Sequence, residues 1–328
     1  MIEDASVPAA NGRHCCVKAL EEGIPTRYES RPRGGPYSSM PDHEPPPHRM
    51  PPGTIVDGRY RITQRSGFAG GVATYTATHL VVGRNVQLDV LTRSEDKAKR
   101  RFRRGGRLLG LMSHPNVVGL YDMGLYRGEA PYMSLEYLEG HTLQERVEQA
   151  GPLPVPEVLR IAGELLGALG YVHGRRIVHR ALSTSNVRIG ADWQGREQIT
   201  VTGFAMSRDM GSAASSSFSS PDQVALADFA HVAPEQILAP ETVDQRTDLY
   251  AVAVSLYQLL AGTLPFPQTN LSELGEAIIH STPESLADHG VSVALEAVIF
   301  QGLAKEPEVR FEDAQAMLSA IHRAALGG

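Results

Sequence analysis

The chain has 328 residues, 42% of them hydrophobic, enough for one large domain or two moderate ones with a core. Its formal charge of −6 is small for that length and mixed in sign, which excludes a global electrostatic case for nucleic acid or an anionic membrane surface. Cys15 and Cys16 sit side by side, suit neither a disulfide framework nor zinc-ligand spacing, and are read as reduced and incidental.

Residues 1–52 are rich in Pro, Gly, Ser and Arg and have no apolar periodicity, so a disordered tail is expected there. The N-terminus has no apolar leader run, and "LYAVAVSLYQLLAG" is too short and polar to cross a bilayer, which predicts a cytoplasmic protein.

From Gly58 the pattern changes. "RYRITQRS", "VATYTATHLV" and "NVQLDVL" alternate and are β-branched, and "VVGLYDMGLY" and "APYMSLEYL" read as further strands. One helix is predicted among them, from Ser94 to Met112. Its "KAKRRFRRGGR" stretch is either a solvated basic face or a docking patch for an acidic or phosphorylated partner. After "EGHTLQERV" helical spacing takes over in "PEVLRIAGELLGALGYVHGR", Asp248 to Ala261 and "ALEAVIFQGLAKEP". A β-rich half followed by an α-rich half predicts two lobes with a cleft between them.

Several short motifs recur in a known order: "SHPNVVGLYDMG", "YLEGHTL", "IVHRALSTSN", "HVAPEQ", "RTDLYAVAVSLYQLLAGTLPF" and "EPEVRF". Together they resemble the eukaryotic-like Ser/Thr protein kinases, in particular their bacterial members. The resemblance implies an α+β bilobal fold over 58–325, with a small β-rich N-lobe (58–135), a hinge (136–139) and a larger α-helical C-lobe (140–325).

Phosphoryl transfer is mostly positioning and charge neutralisation, so the family depends on a short set of side chains. In the glycine-rich loop, "GFAGGVAT" keeps Gly67, but Ala69 and Val72 replace the second and third glycines, while Gly70 and Gly71 are out of phase. An ordinary hairpin turn is the favoured reading. The strand that should carry a phosphate-binding lysine reads "VQLD", placing Asp89 there. Exchanging attraction for repulsion at roughly 4 Å with an effective dielectric of about 20 changes the interaction by about 8 kcal/mol. That equals the free energy of micromolar binding, about 8.2 kcal/mol, and argues against ordinary MgATP binding.

The helix glutamate that pairs with that lysine corresponds to Gly105. With Gly106 beside it, each glycine costing about 1 kcal/mol, the helix is expected to be kinked or frayed. Arg101, one turn earlier, is expected to reach Asp89 as a charge-reversed pair.

In the catalytic loop the resemblance makes His179 and Arg180 architectural, while Ala181 replaces the proton-accepting aspartate and Ser183 the phosphoryl-steadying lysine. Asn186 is the only remnant metal ligand, and one amide oxygen is a poor magnesium site. Gly203 replaces the metal-binding aspartate, Phe204 keeps the apolar residue that packs between lobes, and Asp228 stands where a substrate-positioning threonine belongs. The nucleotide cleft would comprise Gly67, Gln87, Leu135, Glu136, Leu138 and Arg188. Gln87 above and Arg188 below suit an adenine ring poorly, so the cleft is either filled or selective for an anion.

What holds the larger lobe is present: Pro234, Glu235, its expected partner Arg310, and Asp248, which in the family ties down the catalytic loop. The leading reading is a catalytically inactive pseudokinase, a protein-interaction or regulatory module for an active Ser/Thr kinase or its substrate. No cofactor, metal, nucleic acid or membrane is expected. The alternatives are a Ser/Thr protein kinase with weak or unconventional ATP-dependent transfer, and a sensor holding an anionic ligand in the cleft. Serines of the activation segment, Ser220 before Pro221 among them, are weak phosphorylation candidates.

Overall fold

Alternating strands form the first layer of the computed structural model, which describes residues 45–192, 194–209 and 226–326. Cys15, Cys16, the expected tail up to residue 44, and Ser220 with Pro221 lie outside the described residues. The elements run β1 (Ile55–Val56), β2 (Tyr60–Ala69), β3 (Val72–His79), β4 (Asn85–Leu91), α1 (Asp96–Gly110), β5 (Leu120–Tyr126) and β6 (Ala130–Glu136). The strands pair antiparallel in the order β1-β2-β3-β4-β6-β5.

Side chains alternate across this sheet. Val86, Leu88 and Val90 of β4 join Ile62, Tyr75 and Tyr132 in a core on one face. Gln87 and Asp89 take the other face, opposite Leu135 and Met133 in the ladder. Leu135 and Met133 pack with Phe102 and Leu109 of α1 in the second core, so β4 directs two polar side chains into an apolar layer.

The boundary of the tail shifts from the expected position. Residues 45–52 pack against the sheet: Met50 is 3% exposed, and its N–H donates to the Tyr75 hydroxyl. Tyr75 and Tyr126 in turn donate to the carbonyls of Pro47 and Pro45, both at 2.9 Å. Proline's fixed φ lowers the entropy lost when such a segment docks, and its carbonyl still accepts.

The second lobe follows with β7 (His141–Thr142), α2 (Leu143–Ala150), α3 (Val155–His173), β8 (Ile177–Val178), β9 (Val187–Ala191), β10 (Glu197–Val201) and β11 (Arg208–Asp209). It closes with α4 (Leu226–Phe229), α5 (Pro234–Leu238), α6 (Gln245–Ala261), α7 (Leu271–His280), α8 (Val293–Gly302) and α9 (Ala314–Leu326). Local chemistry sets the ends. Thr142 and Glu145 form a capping box at α2, Asp244 accepts from the Arg246 N–H at α6, and Gly262 ends α6 at φ +76°. Every residue of α6 from Thr247 to Ala261 is buried, the signature of a central helix packed on all sides. A single core continues from Phe102 and Met133 through Phe204 into α3, α6 and α9. Among the described residues, no helix is long and apolar enough to cross a membrane.

Glu235, at the start of α5, meets Arg310 in a buried two-pronged pair, with N···O distances of 2.8 and 2.7 Å. Burial pushes the Glu235 carboxyl up, but Arg310 and Thr247 hold it below the ordinary range. Arg310 also donates to the carbonyls of Ala304, Lys305 and Arg246, so its donors are satisfied. Removing one partner strands the other charge. Arg310→Ala should therefore cost about 3–5 kcal/mol in urea denaturation, and the paired apolar replacement Glu235→Leu with Arg310→Met should recover most of it.

Candidate functional site

The loop after β8 is held from beneath by one carboxylate. Asp248 of α6 accepts the main-chain N–H groups of His179 and Arg180, each at 2.8 Å, and lies 2.8 Å from His173 Nε2. Burial pushes its carboxyl up, yet the hydrogen bonds from His173 and from the Arg180 N–H hold it below the usual value. These contacts fix Arg180 in the left-handed region, at φ +67°.

His179 is fully buried, and burial drives its pKa down, so it is neutral. Its Nε2 lies 2.7 Å from the Thr202 carbonyl and therefore carries the proton, while Nδ1 accepts from the Ala181 N–H at 3.3 Å. The Phe204 ring meets His179 edge-on, with centroids 4.5 Å apart. Gln236 donates to the Arg180 carbonyl at 3.0 Å, tying α5 to the same loop.

The positions expected to carry chemistry converge on this scaffold. Ala181 presents a methyl group, and its carbonyl accepts from the Asn186 side-chain amide at 2.8 Å. Gly203 adopts φ +82°, and a Cβ there would lie 2.8 Å from the Asn186 amide carbon. Asn186 thus fills the space where a carboxylate at 203 would begin. Among the described residues no group of three His, Cys, Asp or Glu side chains could hold a metal. One amide oxygen with no carboxylate beside it does not fit magnesium.

Ser183 donates to Asp228 at 2.8 Å. A carboxylate thus reaches the loop from α4, outside the motif that the sequence offers. Asp228 and Ala181 line a cavity of about 20 Å³ together with Arg180, His231 and Gln236, room for a single water.

On the strand side, Asp89 is 8% exposed and accepts from Gln87 Nε2 at 3.0 Å. Burial raises its pKa to about 6, against the opposing bonds from Gln87 and Thr74. The expected pair with Arg101 does not form. Asp89 is held by its own strand and β3, while Arg101 feels burial and the repulsion of Arg93 and Arg104.

Helix α1 is also unlike the expectation, running unbroken from Asp96 to Gly110. A Cβ on Gly105 would lie 2.5 Å from the Phe204 carbonyl oxygen and 3.0 Å from that of Ala205. The glycines that weaken the isolated helix allow close packing, Gly105 against the segment after Gly203 and Gly106 against the side chains of Met123 and Met133. Packing recovers what propensity loses.

The remaining cleft positions are placed as follows. Gly67 lies in β2 beside Thr74, and Gly70 and Gly71, at φ +58° and +80°, form a two-residue hairpin turn whose Gly71 carbonyl accepts from Thr92. Leu135 is buried, Leu138 packs against the core, and the Glu136 N–H donates to the Gly119 carbonyl while its carboxylate accepts from the Gly119 N–H. The Arg188 guanidinium donates to the Gly140 carbonyl at the end of the hinge, so one of its donors is already engaged.

The model of the protein kinase domain family matches residues 66–320. The Ser/Thr protein kinase PrkC of Bacillus subtilis is 29% identical over 277 residues, covering 83% of this chain and 41% of that protein. PknB of Mycobacterium leprae is 29% identical over 292 residues, covering 86% and 44%. The chain therefore spans less than half the length of these relatives. The crystal structure of the Mycobacterium tuberculosis PknI kinase domain superposes with a TM-score of 0.65 at 24% identity, covering 84% of this chain and all of that one. That likeness concerns the fold.

Two measurements follow from the packing and the buried acid. Gly105→Ala should destabilise by about 1–3 kcal/mol, because a methyl group has no space before Phe204. Helix propensity alone predicts a gain of about 1 kcal/mol, so denaturation distinguishes the two by sign. Asp89 binds its proton more tightly folded than unfolded, where the value is 3.8, so stability falls as pH rises from about 4 to 6 and stays reduced above. Asp89→Asn should stabilise the protein by up to about 3 kcal/mol at neutral pH and by little near pH 4, read from unfolding curves at several pH values.

Proposed function

Because this chain belongs to the protein kinase domain family, we propose that it is a member whose phosphotransfer chemistry has been lost and whose fold serves as a protein-interaction or regulatory module. The observation that carries this reading is the pairing of Gly203 with Asn186. The metal-binding carboxylate is absent, and its space is taken by the amide that would be the second ligand. Asp89 supports it from the opposite side of the cleft, since a buried carboxylate stands where the fixed cation for a triphosphate should be. Ala181 supports it at the acceptor side, since a methyl group takes no proton.

The retained groups point the same way. The Asp248 hub and the Glu235–Arg310 pair hold the helical lobe without taking part in transfer. A partner within Ser/Thr kinase signalling, an active kinase or its substrate, fits the relatives that the chain resembles.

The test is transfer itself. Protein freed of contaminating kinases and supplied with labelled ATP and magnesium or manganese should incorporate no phosphate into itself or a general protein acceptor. Metal-dependent incorporation that disappears in Asn186→Ala would instead establish an unconventional phosphotransferase.

A further inference from the structure

Helix α1 exposes Arg100, Arg103, Arg104 and Arg107. Steps of three and four residues align them in one stripe over about 10 Å of helix axis. Among the described residues, none of the four makes a hydrogen bond or ion pair. The stripe works against the stability of its own helix. Arg100 repels Arg104 and Arg103 repels Arg107 one turn apart, and Lys97 and Lys99 sit at the positive end of the helix dipole. Glu95 at the N-cap makes no capping bond to relieve this. Arg101, on the inner side, is pushed below the ordinary guanidinium range by burial and by the charges of Arg93 and Arg104.

We propose that this stripe docks a phosphorylated segment of a protein partner, one that carries two phosphates about one helical turn apart. All four exposed cations are arginines, whose planar forks pair with phosphate through two bonds at once. Each phosphate brings about −1.5 to −2 charges, so two of them neutralise the stripe. The charge distribution favours a short segment over nucleic acid. The helix carries seven Lys or Arg against one Asp within a chain whose net charge is −6, so the chain outside this helix is net acidic. A long polyanion would run into that field, while a short segment stays within about 8 Å of the patch, the screening length at physiological salt. An anionic bilayer is disfavoured because Phe102 and Leu109, the apolar side of α1, face the protein core.

The proposal rests on the interaction-module reading, and the two fail separately: phosphotransfer would defeat that reading, while absence of phosphopeptide binding defeats only this site. The experiment is fluorescence anisotropy with the full chain and a labelled Ser-rich peptide bearing two phosphoserines about one helical turn apart. The same peptide without phosphate, a version with glutamates, and a single-stranded oligonucleotide serve as comparisons. The doubly phosphorylated peptide should bind best, and the combined Arg100→Gln, Arg103→Gln, Arg104→Gln, Arg107→Gln variant should weaken it about tenfold or more while its unfolding midpoint stays the same or rises, since repulsion along the helix is relieved. Replacing the same four by lysine, which keeps the charge and removes the forks, should also weaken it. Equal binding of the unphosphorylated peptide, stronger binding of the oligonucleotide, or undiminished binding by the folded glutamine variant would overturn the proposal.

Discussion

The close approach of one helix backbone to one turn governs the rest of this molecule. Gly105 brings α1 so near the carbonyls of Phe204 and Ala205 that no side chain fits between them. Phe204 is thereby fixed against His179, His179 against the Thr202 carbonyl, and the loop that follows against Asp248. Helix, turn, loop and central helix form one chain of contacts from the sheet to the helical lobe. A kinase-type glutamate at 105 would have to push that chain apart, so its absence is a packing requirement here as well as a lost charge.

The same contacts distinguish the groups that hold the scaffold from the positions where the family's chemistry would sit. Buried groups that stabilise the fold are fully partnered: Asp248 by two main-chain donors and a histidine, and Glu235 by both prongs of Arg310. The residues expected at the triphosphate and metal positions are engaged within the protein. Gln87 bonds Asp89, Asn186 bonds Ala181, Ser183 bonds Asp228, and Arg188 bonds Gly140. A polar group left without a partner in a buried site is costly, and these bonds within the protein lower that cost.

Much of this was legible in sequence because it depends on local pattern. Alternation in "NVQLDVL" gives a strand with two acidic or amide side chains on one face, and Thr142 with Glu145 marks the start of α2. Motif order locates His179, Asp248 and Arg310 without any contact being known. What was not legible depends on distant partners. Glycines 105 and 106 predict a weak helix unless the carbonyls of Phe204 and Ala205 are known to lie against the first and the side chains of Met123 and Met133 against the second. Composition assigns Pro45 to Met50 to a tail, and only the hydroxyls of Tyr75 and Tyr126 show why they are ordered. Asp228 lies outside the catalytic-loop motif, and no spacing rule joins it to Ser183. Arg101 shares a helix face with Gly105, but Asp89 satisfies itself within the sheet.

The central claim is electrostatic and steric: among the described residues, Asp89 stands where a cation would meet a triphosphate, Gly203 brings no carboxylate to its metal, and Asn186 occupies the space where one would begin. Isothermal titration of the full chain with magnesium and ATP tests it most directly. The account predicts no saturable heat, with any association at about 1 mM or weaker. A one-to-one isotherm in the range of about 1 µM would contradict it.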